Sequence, residues 1–408
     1  MRALAVLSMH TSPLAQPGTG DGGGMNVYVR ELATALARTG VRCDLYTRAE
    51  ADDVAPIVNV EPGLYVHHVP AGPLRAVEKE ALPGLVDEFA DAVLARMQAG
   101  HAADAIHANY WLSGVAGHRL KHELDLPLVS TFHTLDRVKA EVDLGEDSEQ
   151  RSLEEARVIG CSDAILASCD DEVAQLVRLY DADPERIEIV PLGVDHAFFA
   201  PGNRRQARRA LGFPETGRLV LSVGRIQPLK GLGVAIAAFA QIASSMPDAH
   251  YAIVGGPSGP QGEAEVERLH GVVYELGLAG RVSFLPPQRH ELLSTFYRAA
   301  DLCLIPSRTE SFGLVALEAA ACGTPVVASA VGGLTTLVED GRTGFLVDDR
   351  DPDVFADRAR RVLGDAELAA AMGRRAAARA RSYTWTTAAG RLRRLYGELT
   401  ARQLVECP

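Results

Sequence analysis

Short apolar runs alternate along the chain with longer stretches in which apolar residues recur at helical spacing. Runs of Val, Ile and Leu without alternating polar positions are typical of strands buried on both faces, as in a parallel sheet covered by helices. The chain is therefore predicted to be an α/β protein. The predicted strands are 3–7, 42–46, 65–69, 105–107, 128–131, 164–167 and 187–190, then 219–223, 249–254, 282–285, 302–305, 325–328 and 344–347.

The strand series begins again after residue 200. Segment 191–202 separates the two series, is rich in Pro and Gly, and has no helical period, so we expect it to be a hinge between domains. The pattern predicts two doubly wound, Rossmann-like domains that face each other across a deep interdomain cleft. The first domain is predicted over 1–195, and the second begins at 196.

Composition and charge restrict the kinds of ligand and the cellular location expected for this protein. The 408 residues carry a net charge of −12, which disfavours general binding to nucleic acid or to an anionic membrane. The six cysteines contain no C-x-x-C pair and are expected to be reduced thiols, without a zinc site or a disulfide framework. The N-terminal apolar run is too short for a signal peptide. We therefore expect a cytoplasmic protein that acts on small molecules, with no stable membrane insertion.

A glycine-rich segment runs from His10 to Asn26, directly after the first predicted strand and before a helical pattern. Glycines let backbone N–H groups approach an anionic or polyhydroxylated ligand, and the positive end of the following helix favours negative charge. The spacing is not G-x-G-x-x-G with an acidic residue about 20 positions later, which disfavours a nicotinamide dehydrogenase. The segment predicts a phosphorylated or sugar-like ligand.

The second half carries two cations and two acids at predicted loops. Arg225 and Lys230 follow the first strand of that half, at the strand end where α/β sheets bind ligands. Glu310 and Glu318 are eight residues apart around a predicted helix start, which corresponds to roughly 12 Å along a helix. This spacing suits a sugar at one end and a ribose at the other, while the cations and free helix amides neutralise a diphosphate.

Together these residues resemble the retaining glycosyltransferases of the GT-B fold, of the glycogen-synthase-like, family 4 type. The resemblance is closest to the D-inositol-3-phosphate glycosyltransferase branch, which acts in mycothiol biosynthesis. It rests on the blocks 10–26, 110–114, 225–230, 255–259, 306–318 and 322–325. It implies transfer of N-acetylglucosamine from UDP-N-acetylglucosamine to 1D-myo-inositol 3-phosphate with retention, the first step of that pathway.

The resemblance also assigns the domains and the ligand contacts. It implies an acceptor domain over 1–195, a nucleotide-sugar domain over 196–382, a final helix in 383–408 that returns to the first domain, and a homodimer. The implied donor contacts are Gln16, Pro17, Gly24, Arg225, Lys230, Gln288, Glu310, Phe312, Gly313, Leu314 and Glu318. The implied contacts of the inositol ring are His10, Asp21, Gly22, Gly23, Gly24, Met25 and Asn26, and those of its phosphate are Lys79, Tyr110, Thr134 and Arg151.

Catalytic roles are expected for Arg225, Lys230, Glu310 and His133, with His133 near the 6-hydroxyl of the donor sugar. Because the matched acids are assigned to hydroxyl groups, we expect front-face attack in which the leaving diphosphate takes the acceptor proton, rather than a carboxylate nucleophile. No catalytic metal is expected. The resemblance implies a peripheral Mg²⁺ at Tyr297, Arg298, Ala300 and Thr324, whereas Asp349 and Asp351 are expected to serve turn and cap chemistry.

Two alternative functions stay open. Transferases that glycosylate aminocyclitols or other small acceptors in antibiotic pathways resemble the same branch, and Arg308 departs from the branch's usual pattern beside the donor motif. A non-catalytic nucleotide-sugar-binding protein is the alternative from another class, because a fold alone does not establish turnover. The intact set of two cations and two acids favours an enzyme.

Overall fold

The computed structural model describes residues 1–18, 20, 22–142 and 149–407. The chain divides into two compact units. Unit 1 comprises Met1–Ala15, Met25–Pro191 and Trp385–Pro408, and unit 2 comprises Gln16–Gly24 and Leu192–Thr384. After the glycine-rich segment, the chain passes between the units at Pro191–Leu192 and at Thr384–Trp385. In contrast to the expectation, part of the glycine-rich segment groups with unit 2 rather than with the N-terminal half.

The described part of unit 1 forms one sheet. Its strands are β1 (Ala3–Leu7), β2 (Arg42–Arg48), β3 (Ile57–Glu61), β4 (Leu64–Val69), β5 (Ala105–Asn109), β6 (Leu128–Thr131), β7 (Ala164–Ala167) and β8 (Ile187–Ile189). Their order is β3-β4-β2-β1-β5-β6-β7-β8, and all neighbours are parallel except β3 and β4. The strand order reverses between β1 and β5, which creates a crevice at their carboxyl ends.

The helices of unit 1 cover this sheet. They are α1 (Gly24–Arg38), α2 (Val86–Gln98), α3 (Trp111–Leu124), α4 (Asp136–Ala140), α5 (Glu149–Cys161), α6 (Asp170–Tyr180) and the C-terminal helix (Trp385–Leu399), with 3-10 turns at Lys79–Leu85 and Pro184–Arg186. The Tyr396 hydroxyl of the C-terminal helix forms a hydrogen bond with Nδ1 of His107 on β5, 2.8 Å away. The chain end is thereby bonded to the strands of unit 1.

Unit 2 has the same kind of architecture. Its strands are β9 (Arg218–Val223), β10 (Ala249–Val254), β11 (Val282–Leu285), β12 (Leu302–Ile305), β13 (Val326–Ser329) and β14 (Gly344–Val347). They are parallel in the order β11-β10-β9-β12-β13-β14, the strand order of a dinucleotide-binding domain. Its switch point lies between β9 and β12.

The helices of unit 2 lie on both faces of its sheet. They are α7 (Arg204–Leu211), α8 (Leu232–Ser245), α9 (Gly262–Glu275), α10 (His290–Ala299), α11 (Leu314–Ala321), α12 (Gly333–Leu337), α13 (Pro352–Gly364) and α14 (Ala366–Ala380), with a 3-10 turn at Pro228–Lys230, so the C-terminal helix is α15. Separate apolar clusters pack on the two faces. The prediction of doubly wound domains is therefore confirmed.

Strand β3 is the one described strand that the apolar pattern does not predict. Its residues, Ile57–Glu61, are mostly exposed because the strand lies at the sheet edge and pairs only with β4. An edge strand needs no buried apolar run, so the apolar pattern misses it. The predicted hinge also differs from the expectation in part, because Phe199 and Val194 are buried in the core of unit 2.

The expectation for the cysteines is wrong for one pair. Cys161 at the end of α5 and Cys407 in the tail form a disulfide, with Cα atoms 4.8 Å apart. Their separation of 246 residues hides the pairing from the sequence, because only the return of the tail to unit 1 brings them together. The other cysteines, Cys43, Cys169, Cys303 and Cys322, are buried.

Asp351 serves as a helix cap, as the sequence predicts. The Asp351 side chain accepts from the backbone N–H of Asp353 at 2.8 Å and so caps α13, as expected for a helix cap. Within the described ranges, no helix combines the length and the apolar character that crossing a membrane requires.

Candidate active site

The loops after β9 and β12 bring three predicted residues of unit 2 to its switch point. Arg225 and Lys230 lie in the loop after β9, and Glu310 lies in the loop after β12. Nζ of Lys230 donates to Oε2 of Glu310 at 2.6 Å, and about a fifth to a quarter of each side chain is exposed, at 24% and 20%. The cation and the acid are therefore held together while still reachable by a ligand.

Glycines allow these two loops to touch. Gly231 has φ of +64°, and a Cβ there would lie 2.1 Å from the Pro306 carbonyl oxygen. A Cβ on Gly332 would lie 1.8 Å from the Glu310 carbonyl oxygen, and the N–H of Gly333 donates to that same oxygen at 3.1 Å. Gly332 and Gly333 are not among the predicted site residues, although a Gly-Gly pair after a predicted strand is a sequence signal for such a loop.

Arg225 lies between two further loops of unit 2. Its Nη1 donates to Oγ of Ser258 at 3.2 Å, and a Cβ on Gly23 would come within 3.1 Å of its Nε. The glycine-rich segment thus packs against a predicted donor-binding cation. Gln16 also faces this side, because its Nε2 donates to the carbonyl of Pro287 at 3.4 Å, next to Gln288.

The predicted helical spacing between Glu310 and Glu318 is not observed. Helix α11 begins at Leu314, so Glu310 precedes the helix and the helical spacing of roughly 12 Å does not apply to this pair. Glu318 is 2% exposed. Its carboxylate oxygens are 2.6 Å from Nε2 of His290 and 2.7 Å from the donating hydroxyl of Tyr297. No local sequence pattern predicts the contact with His290, which lies 28 residues away on α10.

The N-terminus of α11 offers backbone donors. Gly313 precedes the helix with φ of +95°, and the structure gives it no side-chain cap. The first amides of an uncapped helix are free to bind an anion, and the helix dipole favours negative charge there. Phe312, in contrast, directs its side chain into the core and is 4% exposed, so only its backbone is available to a ligand.

In unit 1 the loops after β1, β5 and β6 converge around Tyr110. The ring of His10 lies 4.2 Å from the Tyr110 ring, Nζ of Lys79 lies 5.7 Å from it, and the Arg151 guanidinium lies 5.1 Å from it. Lys79 starts a 3-10 turn and Arg151 lies on α5. Arg151 also donates to the Thr134 carbonyl at 3.0 Å, so five predicted acceptor residues from five segments are neighbours.

Tyr110 has two unusual features. Its φ is +74°, a conformation rarely adopted by a bulky residue. Its hydroxyl is buried, and no described residue lies within hydrogen-bond distance of it. A buried polar group without a partner costs about 1–3 kcal/mol, and backbone strain of this kind is concentrated at ligand sites. Both features mark Tyr110 as a candidate ligand contact.

Arg151 keeps its charge although it is only 4% exposed. Burial opposes the charge, but Tyr110, Glu155 and Asp136 outweigh burial and raise the pKa of Arg151. Its Nε donates to Oε1 of Glu155 at 2.8 Å. Glu155 is not among the predicted site residues, although the i,i+4 spacing on a helix is a signal for this ion pair. The guanidinium is therefore a fixed positive charge beside Tyr110.

His133 follows β6 with φ of +62°. Its Nε2 lies 3.0 Å from Oδ1 of Asn109, and its ring meets that of Tyr28 edge-on at 4.9 Å. Burial, with a smaller contribution from His107, lowers the pKa of His133 well below its ordinary value. The imidazole is therefore neutral near pH 7 and suited to hydrogen bonding rather than to holding a charge.

The remaining predicted contacts belong to the glycine-rich segment and the start of α1. The Asn26 amide donates to Oγ1 of Thr11 at 2.9 Å and to the Ser12 carbonyl at 2.7 Å, and therefore holds the loop after β1. Gly24 begins α1 and Met25 follows it, while Pro17 and Gly22 group with unit 2. Asp21 lies outside the described residues.

The four residues of the predicted magnesium site are neighbours at the end of α10. Oγ1 of Thr324 donates to the Tyr297 carbonyl at 2.6 Å, and the N–H of Ala300 donates to the same oxygen at 3.2 Å. The Arg298 side chain donates to the Ala200 carbonyl. Mg²⁺ is usually bound through one or two carboxylates, and this set contains only neutral oxygens and a cation. The donor set does not fit a tightly held Mg²⁺.

Comparisons with known proteins agree with this architecture. A family model described as "Glycosyl transferase 4-like domain" matches residues 23–193, and "Glycosyl transferases group 1" matches residues 203–379. The D-inositol 3-phosphate glycosyltransferase 2 of Catenulispora acidiphila is 45% identical over 95% of this chain and 93% of its own length. The sucrose-phosphate synthase of Thermosynechococcus elongatus has 34% identity and a TM-score of 0.91 over 98% of this chain and 100% of its own.

A further solved structure supports the fold alone. HepE of Anabaena, in complex with UDP-glucose, has 22% identity and a TM-score of 0.78, and the match covers 98% of this chain and 100% of that one. The chain therefore belongs to the family of D-inositol 3-phosphate glycosyltransferases, and it is a sugar-transferring enzyme with the GT-B fold.

Proposed function

We propose that this enzyme transfers N-acetylglucosamine from UDP-N-acetylglucosamine to 1D-myo-inositol 3-phosphate with retention of configuration, as the first step of mycothiol biosynthesis. Relatives at 45–46% identity are named for inositol 3-phosphate, and the 34% identical relative is named sucrose-phosphate synthase. Both names include a phosphorylated sugar or cyclitol. They support a phosphate-bearing acceptor for this chain as well.

The cluster around Tyr110 is the single observation that carries the acceptor assignment. Lys79 and Arg151 lie near its ring, and its buried hydroxyl has no partner among the described residues. A phosphate dianion would accept from this hydroxyl and balance the two cations, and charge-assisted hydrogen bonds of this kind are roughly twice as strong as neutral ones. An aminocyclitol carries ammonium groups, which the neighbouring cations of Lys79 and Arg151 would repel, so we favour the phosphorylated acceptor.

The donor is assigned to the switch point of unit 2. Arg225, Lys230 and the free amides at the N-terminus of α11 would bind the diphosphate, since these groups lie where α/β sheets hold nucleotides. Glu310 would contact the sugar and Glu318 the ribose. The sequence motifs that resemble this family imply a uridine nucleotide as the carrier.

The proposed reaction is a front-face displacement. The bond between the anomeric carbon and the diphosphate oxygen breaks, and the acceptor oxygen bonds to that carbon on the same face. The acceptor proton moves to the departing diphosphate oxygen, whose growing charge Arg225 and Lys230 stabilise. Glu310 is paired with Lys230, and Glu318 with His290 and Tyr297, so neither is arranged as a nucleophile for double displacement. We derive no step through a metal.

A product assay tests the function and separates its alternatives. The purified enzyme is given UDP-N-acetylglucosamine with inositol 3-phosphate, free inositol or 2-deoxystreptamine, UDP release is followed, and the product's anomeric configuration is read by NMR. We expect rapid release only with inositol 3-phosphate, and an α-linked product. Preference for 2-deoxystreptamine would favour an antibiotic-type transferase, and nucleotide binding without acceptor-dependent release would favour a binding protein. The homodimer and the cytoplasmic location stay predictions.

A further inference from the structure

A cluster of two histidines and two cysteines lies in unit 1, separate from the residues assigned to either substrate. His118 and His122 are one turn apart on the same face of α3, and their Nε2 atoms are 3.2 Å apart. Sγ of Cys407, in the C-terminal tail, lies 3.2 Å from Nε2 of His122 and 3.5 Å from Nε2 of His118. Cys161, on α5, is joined to Cys407.

These distances match a tetrahedral metal site. With Zn–N bonds of about 2.0 Å and Zn–S bonds of about 2.3 Å, tetrahedral geometry separates two nitrogens by roughly 3.3 Å and a nitrogen from a sulfur by roughly 3.6 Å. The distances within the set His118, His122 and Cys407 are close to these values. Histidines at positions i and i+4 of a helix are a common way to supply two zinc ligands.

A buried ion pair positions the tail for this role. Nζ of Lys121 lies 2.9 Å from Oδ2 of Asp163 and donates to the carbonyls of Cys161 and Val405 at 2.8 Å and 3.0 Å. Oδ1 of Asp163 accepts from the N–H of Val405 at 2.7 Å. Lys121 and Asp163 therefore fix the backbone beside both cysteines, so the tail is held next to the site by contacts other than those of the cysteines. His122 also lines an open groove, which gives an ion in solution access.

We propose that His118, His122, Cys161 and Cys407 form a structural Zn²⁺ site that fastens the C-terminal tail to unit 1 when the two cysteines are reduced. The structure contains the oxidised pair. A dithiol reductant opens it by giving two electrons and two protons to the two sulfurs, and the reductant becomes a disulfide. The two thiols then release their protons to solvent as they bind the cation, which is ligated as Cys₂His₂.

To reach this state the two sulfurs must separate and Sγ of Cys161 must turn toward the histidines, because only the ligand atoms of His118, His122 and Cys407 already lie within 4.8 Å of one another. In a tetrahedral site the two sulfurs would lie roughly 3.8 Å apart, given Zn–S bonds of about 2.3 Å. The Cα atoms of Cys161 and Cys407 are 4.8 Å apart, which keeps both side chains within reach of one ion after reduction. Four protein ligands leave no open position for substrate, which is typical of a structural rather than a catalytic zinc site.

Metal uptake by the tag-free, full-length enzyme tests the proposal. The protein is reduced with a dithiol, freed of metal and reductant without oxygen, and given Zn²⁺ or Co²⁺. We expect one equivalent of Zn²⁺ to remain after desalting and to raise Tm under reducing conditions, and we expect Co²⁺ to give tetrahedral d–d bands with thiolate-to-metal charge transfer. Cys407→Ser and His118→Gln should lose both signals, whereas the matched controls Cys43→Ala and His270→Gln should keep them.

Cys407 is only partly buried and lies in the tail after α15, so its substitution should leave the cores of both units intact and should not change sugar transfer. Absence of the thiolate-to-cobalt band in the reduced wild-type enzyme would overturn the proposal. Equal Zn²⁺ uptake by Cys407→Ser and wild type would also overturn it, since the ion would then be bound elsewhere. A disulfide that the dithiol cannot open in the folded enzyme would do the same.

Discussion

The ammonium of Lys230 and the carboxylate of Glu310 meet at 2.6 Å and join the loops that follow the two strands flanking the switch point of unit 2. Both side chains are partly exposed, and ion pairs of that kind contribute about 0–1 kcal/mol to stability. The pair therefore matters more for placing charge than for holding the fold. A bound diphosphate can take over part of the ammonium's hydrogen bonding.

Lys230→Ala should lower kcat by about 10²–10³-fold, because it removes a charge that stabilises the departing diphosphate. Its free energy of unfolding should fall by less than about 1 kcal/mol. Steady-state kinetics and urea unfolding check the two parts. Arg205→Ala, which removes an exposed positive charge on α7, is the control and should leave kcat unchanged. A loss of stability large enough to explain the lost activity would contradict the catalytic role.

Gly231→Ala should impair both folding and donor binding. Its Cβ would lie 2.1 Å from the Pro306 carbonyl, and its φ of +64° strains any other residue. We expect a loss of at least about 1–3 kcal/mol in unfolding free energy and a raised KM for the UDP-sugar, since the β9 loop must move away from the β12 loop. Gly271→Ala on α9, with open space around its Cα, should instead be neutral or stabilising. Equal stability of the two variants would contradict the contact.

Tyr110→Phe should separate stability from function. Removing a buried hydroxyl without a partner should leave the unfolding free energy unchanged or raise it by about 1 kcal/mol. The same change should lower kcat/KM for inositol 3-phosphate by about 10–100-fold, since a hydrogen bond to a charged group contributes about 1.5–3 kcal/mol. Tyr274→Phe, at an 81% exposed residue, is the control. Unchanged acceptor kinetics would remove Tyr110 from the acceptor site.

Much of the fold could be predicted from the sequence, because buried parallel strands are continuous apolar runs that stand out from their surroundings. Strand β3 could not, since an edge strand such as Ile57–Glu61 buries little and therefore carries no apolar signature. The disulfide between Cys161 and Cys407 could not be predicted either. It depends on the path of the tail after α15, which no local pattern encodes.

The loops that carry the candidate site could also be predicted, because ligand-binding residues follow parallel strands. The partners of those residues could not. Glu318 meets His290 and Tyr297 only because α10 and α11 are neighbours in space. Similarly, the isolation of the Tyr110 hydroxyl is a property of packing, and the sequence shows only that a tyrosine is present.

His107 should make unit 1 sensitive to acid. It is 1% exposed, and burial lowers its pKa from 6.5 to about 3. The unfolded chain therefore binds this proton first as the pH falls, so the stabilisation is present above about pH 6.5 and is lost progressively from there toward pH 3. Between pH 7 and pH 5 the loss from this residue should be about 2 kcal/mol.

Urea unfolding of wild type and His107→Gln at several pH values checks this prediction. The variant should start less stable, because it loses the bonds of His107 to Thr131 and Tyr396, and its stability should depend less on pH. Burial lowers the pKa of His133 in both proteins, so its contribution changes only by the smaller effect of His107 on that pKa. An equal dependence of the unfolding free energy on pH in the two proteins would contradict the low pKa of His107.

The acceptor preference of the wild type and of Lys79→Gln tests most directly whether the cluster around Tyr110 recognises the phosphate of the acceptor. The measurement is the ratio of kcat/KM for inositol 3-phosphate to that for free inositol, with UDP-N-acetylglucosamine as donor. Recognition of the phosphate by Lys79, Tyr110 and Arg151 predicts a wild-type ratio of about 100 or more and a decrease of about tenfold or more in the variant. A wild-type ratio near one, or the same ratio in both proteins, would contradict it.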